Sequence, residues 1–67
     1  MNYEVAMILK GLRDSIKDSK KYFKNDSSSM YKEIVNAIQG TVFILKKKGL
    51  YNDSVEKTIK KIEKEEL

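Results

Sequence analysis

The chain has 67 residues and a net charge of +4, with 36% charged and 40% apolar residues and no cysteine, histidine or proline. That length holds one domain at most. Without Cys and His, disulfide staples are ruled out, zinc, haem and iron–sulfur centres lose their usual ligands, and the commonest general base and the thiol nucleophile are missing.

The first periodic segment runs from about Tyr3 to Lys24. Val5, Leu9, Leu12, Ile16 and Phe23 recur at spacings of three, four or seven and form one face of a helix, with Ile8 at its edge. Asn2 is placed to cap its start. The polar run Asn25-Asp26-Ser27-Ser28-Ser29 ends it, because these side chains compete for backbone hydrogen bonds and favour turns.

The second segment runs from about Met30 to Lys48, with Ser28 or Ser29 as the expected N-cap. Its apolar set is broad: Met30, Tyr31, Ile34, Val35, Ala37, Ile38, Thr41, Val42, Ile44 and Leu45 cover about half of the helical wheel. A helix this apolar is expected to have neighbours on two sides and to be the central element. The stretch from Thr41 to Leu45 is β-prone, but the helical period continues through it and no partner strand is evident. Lys46-Lys47-Lys48-Gly49 closes the helix with cations in the last turn and glycine just beyond. Leu50 and Tyr51 are placed to pack back on that turn.

The third segment runs from about Asp53 to Glu66. Asp53-Ser54-Val55-Glu56 reads as a capping-box-like start with Asp53 at N-cap. Val55, Ile59 and Ile62 form a narrow apolar stripe beside Thr58, with Lys57, Lys60, Lys61 and Lys64 opposite. Both connections are short, which favours antiparallel neighbours. The expected fold is an all-α, up-down-up three-helix bundle with the second helix in the middle. A domain this small buries only about 60% of the surface its unfolded chain exposes. Homodimerisation through the wide face of the second helix would add burial.

No signal-peptide pattern opens the chain: the first ten residues carry Glu4 and a five-residue apolar run, Val5 to Leu9. The longest apolar region is broken by Lys32, Glu33, Asn36 and Gln39, so no membrane span is expected. A cytoplasmic location follows as an expectation.

Chemistry-bearing motifs are sparse. There is no phosphate loop and no G-x-G-x-x-G. The carboxylate pairs Asp14/Asp18 and Glu63/Glu66 sit among lysines, where ion pairing in solvent accounts for them. Asn25 and Asp26 lack the spacing of a calcium loop. The expectation is a non-enzyme without cofactor or metal.

Two surfaces remain as candidates. Phe43 falls opposite the centre of the apolar arc, with Asn36 and Gly40 on its side, and glycine permits close backbone approach. Contact with a protein partner or a second copy is therefore assigned to Tyr31, Val35, Gly40, Val42 and Phe43, with Tyr51 in the turn. Alternatively, Lys17, Lys20, Lys21 and Lys24, in one band with Lys10 and Arg13, and Lys57, Lys60, Lys61 and Lys64 in a second, could track phosphates of a nucleic acid. Tyr22 and Phe23 are placed to stack on bases. Sequence-specific DNA reading is disfavoured by the single Arg. A helix-turn-helix likeness of the second and third segments fails because Asp53 and Glu56 would repel phosphates at the recognition end.

Overall fold

Asn2 opens the first helix by accepting a hydrogen bond from the Val5 amide at 2.9 Å through its side-chain oxygen, which satisfies one of the free amides of the first turn. The structure, a computed structural model, describes residues 2–67. Three helices follow one another: α1 (Tyr3–Tyr22), α2 (Ser27–Lys47) and α3 (Asp53–Glu66). The described residues contain no strand, so the β-prone stretch at Thr41 is helical.

Two helix starts differ from expectation. Asp26, rather than Ser28 or Ser29, caps α2: its carboxylate accepts from the Ser29 amide at 3.1 Å and the Ser29 hydroxyl at 2.7 Å. The ionised carboxylate can accept both bonds at once, which a serine oxygen does less well. Asn52, rather than Asp53, caps α3, with its side chain accepting from the Val55 amide at 2.9 Å. Glu56 is therefore free of the capping box. It accepts instead from the Tyr51 hydroxyl at 3.3 Å and pairs with Lys60 at 3.1 Å.

The end of α2 is a Schellman motif. Gly49, at φ 70°, donates to the Lys46 carbonyl at 3.0 Å, and Leu50 donates to the Leu45 carbonyl at 2.8 Å. Leu50 then packs against the core that contains Leu45. The motif reverses the chain within a few residues and fixes where α3 starts.

Three ion pairs record the helix directions. Lys48 at the end of α2 donates to Glu4 at the start of α1 (2.7 Å), so α1 and α2 are antiparallel. Arg13 reaches Glu65 (3.7 Å) and Lys20 reaches Glu66 (3.2 Å), so α1 and α3 run the same way. The bundle is thus up-down-up, as the sequence predicts, within an envelope of 36 × 19 × 17 Å.

The core comprises Val5, Leu9, Leu12 and Ile16 of α1, Ile34 and Leu45 of α2, and Val55, Ile59 and Ile62 of α3. Every one of these positions was legible from helical spacing. The expectation that fails is which helix is central. α1 packs against both others, whereas α2 and α3 approach each other only weakly. The reason lies in the width of each apolar arc. The buried side chains of α1, Val5, Leu9, Leu12 and Ile16, share one narrow face whose two edges serve two neighbours, while Tyr3, Met7 and Tyr22 stay outside it. The apolar side chains of α2 are spread over half its circumference, so Ile34 and Leu45 are fully buried, Met30, Ala37, Ile38 and Val42 pack against the core in part, and the rest stay outside.

Candidate functional site

That spread leaves α2 unevenly covered. Ile34 and Leu45 are fully buried, while Val35, Ala37, Ile38, Thr41 and Val42 are half-buried. Tyr31, Phe43 and Ile44 stand 60%, 65% and 47% exposed. The most apolar helix of the molecule therefore contributes the fewest fully buried residues, and it keeps large side chains in water. Burying a side chain of this size is worth roughly 1.5–3 kcal/mol, so the exposed set is a substantial reserve of unburied surface.

The exposed residues fall on two sides of α2. Tyr31, Val35 and Val42 lie on the flank that also carries Lys46. Lys46 places its ammonium 5.1 Å from the Tyr51 ring centroid, so this flank turns toward α3. Val42 packs against the core there. Tyr51 does so too, and its hydroxyl is held by Glu56, which gives it an internal role. Burial, reinforced by the negative charge of Glu56, raises the Tyr51 pKa above its ordinary value. Glu56 is lowered in turn, first by its hydrogen bond from Lys60 and then by that ammonium's charge.

The other flank carries Glu33, Gly40, Ile44 and Lys47, with Asn36 and Phe43 next to it. Counted at about 100° per residue, Glu33, Gly40 and Lys47 lie within about 40° of one another. The Lys48–Glu4 ion pair marks the same edge of the α1–α2 hairpin. Met7 and Gly11 follow Glu4 at helical spacings of three and seven, so they flank this strip from α1. Met7 is half exposed, and neither Gly11 nor Gly40 would meet an atom within 4 Å if given a Cβ. Gly11 and Gly40 thus both lie in open surface, and Met7, Phe43 and Ile44 are exposed side chains of the two helices. Ile44 and Met7 were not singled out by the sequence. Ile44 belongs to the apolar arc of the helical wheel, and only the narrowness of the α1 contact leaves it outside.

The lysine bands are partly engaged. Lys20 pairs with Glu66 and Lys60 with Glu56. Lys17, Lys21, Lys24, Lys57, Lys61 and Lys64 are exposed and make no ion pair among the described residues. At the end of α1, Asp18, Ser19, Lys21, Tyr22 and Phe23 line an open concavity. Tyr22 and Phe23 meet edge to face there, with ring centroids 4.8 Å apart.

No cluster of three or more Asp or Glu able to hold a metal is found among the described residues. Among the described residues, no helix is long and apolar enough to cross a membrane. Comparison of the chain with protein-family models, with curated proteins and with solved structures finds no match in any of the three.

Proposed function

We propose that this chain is a protein–protein interaction module of a regulatory kind. It works by docking the uncovered side of α2 against another helix, of its own copy or of a different protein. The observation that carries this reading is the exposed side of α2, the most apolar of the three helices, where Tyr31, Phe43 and Ile44 are open to water. Helix-in-groove recognition uses anchors of this type at helical spacing. The reading is of a non-enzyme, because the chain has neither the histidine nor the cysteine that most often serve as general base and activated nucleophile. Absent cysteine fits a reducing cytoplasmic setting.

A photoreactive side chain placed at position 43, with a second variant carrying it at position 57 on the outer side of α3, tests the reading in host cells. Protein adducts from position 43 and few from 57 are expected. Equal yields at the two positions, or adducts to nucleic acid alone, would overturn it.

The six unengaged lysines support a second reading, non-specific binding of nucleic acid through phosphates. It requires duplex binding that falls steeply as salt rises. An apolar docking surface changes little over the same range. Tight duplex binding at physiological salt that is abolished by Lys17→Glu/Lys21→Glu would reverse the ranking of the two readings.

A further inference from the structure

We infer that the partner on the Gly40 flank is a second copy of the chain, and that the two α2 helices cross antiparallel about a two-fold axis at Gly40. This inference rests on the docking reading of α2 and adds its occupant and register. Charge complementarity points to it. In an antiparallel pair centred on position 40, each residue i faces residue 80 − i of the other copy. Glu33 then faces the partner's Lys47, and the pair occurs twice by symmetry. In the single chain neither residue has an ion-pair partner among the described residues; the Lys47 ammonium instead lies 5.8 Å from the Phe43 ring centroid. Counted around the helix from Gly40, the same register brings Phe43 beside Asn36 and Ile44 beside Ala37 of the other copy, so each large side chain meets a smaller one. Gly40 meets itself at the point of closest approach, where a side chain would hold the helices apart and where open space is found in the single chain. A parallel pair would instead stack Glu33 on Glu33 and Lys47 on Lys47.

A single crossed-helix contact buries less than the roughly 800 Å² per partner of a standard interface. Association is therefore concentration-dependent. Sedimentation equilibrium of the full chain, from about 10 μM to about 1 mM, is expected to show the mass rising from 7.8 kDa toward twice that value. Glu33→Lys and Lys47→Glu should each weaken association by at least about tenfold, since two attractive pairs become repulsive. The double variant Glu33→Lys/Lys47→Glu should recover it, because the swap restores both pairs. Circular dichroism reports whether each variant keeps its helices.

A second readout is independent of the charges. The chain has no cysteine, so Gly40→Cys introduces a single thiol. At a two-fold axis this thiol meets its own copy, and the wider separation that the two side chains impose stays within the Cα distance of about 4.4–6.8 Å that a disulfide spans. Gly40→Cys should form a covalent dimer far faster than Lys57→Cys under mild oxidation. Equal rates would overturn the inference, as would association unmoved by the single reversals or a double variant that fails to recover. A chain that stays monomeric yet forms adducts with another protein from position 43 would overturn the two-fold pairing and leave the docking reading standing. Absence of adducts from position 43 removes that reading as well.

Discussion

Gly40 and Gly49 show how one residue type serves opposite ends. Gly49 holds φ at 70°, a left-handed conformation that costs other residues about 1–2 kcal/mol. Gly40 lies mid-helix with open space where a Cβ would stand, and there glycine costs roughly 0.5–1 kcal/mol relative to alanine. Gly49→Ala is therefore expected to destabilise the chain by about 1 kcal/mol. Gly40→Ala should stabilise the monomer by a similar amount. Urea unfolding of the two variants at low protein concentration checks both signs. Phe43 offers a parallel contrast with Ile34. Ile34→Ala removes a fully buried side chain and should cost about 2–5 kcal/mol, enough to unfold much of a domain this small, whereas Phe43→Ser should move stability by no more than about 0.5 kcal/mol.

At the level of the helices, the caps decide where each element starts, and their chemistry sets a pH dependence. Hydrogen bonds from the Ser29 hydroxyl and then the Ser29 amide lower the Asp26 pKa below its ordinary 3.8. A carboxylate lowered in the folded state contributes stability that is present above its unfolded pKa and is lost as pH falls through the folded one. Glu56, held by Lys60, adds to the same trend. The thermal midpoint should thus fall as pH drops below about 4. Asp26→Asn, which keeps an acceptor for the Ser29 amide and loses the titration, should show a shallower fall over that window. Thermal melts at stepped pH values measure the difference. The helix positions themselves were readable because three apolar periods are separated by a polar run and a lysine–glycine stop. The cap identities were not, because several candidates stand side by side in Asn25–Ser29 and in Asn52–Ser54, and only backbone geometry chooses among them. The docking flank was half readable. Phe43 and Gly40 stand off the apolar arc and can be recognised from the wheel. Ile44 looks like core until the packing of α1 shows that the arc is wider than its neighbour.

For the whole molecule, stability rests on apolar contact rather than on charge. The pairs that tie the helices together, Lys48–Glu4, Arg13–Glu65 and Lys20–Glu66, all have at least one partly exposed partner, and such pairs are worth about 0–1 kcal/mol each. Raising the salt to about 1 M, where screening acts over about 3 Å, should shift the unfolding midpoint only slightly. Removing α3 is a different matter. It supplies Val55, Ile59 and Ile62, three of the nine buried residues of the core. A chain ending at Asn52 is expected to lose its cooperative thermal transition, which calorimetry would show.

The unequal lengths of α1 and α3 have one more effect. Both helices start at the same end of the molecule, where Asn2, Val5, Asn52 and Val55 line a common concavity, but α3 has 14 residues against 20 in α1. The last fully buried positions of α1 and α2 toward the far end are Ile16 and Ile34, and past the Lys20–Glu66 pair, where α3 ends, only the α1–α2 connection remains. Amide protons around Phe23 to Ser29 should therefore exchange with solvent first, and proteases should nick there before anywhere near Leu45. The protein loosens from its thin end, leaving the Glu4–Lys48 end closed longest.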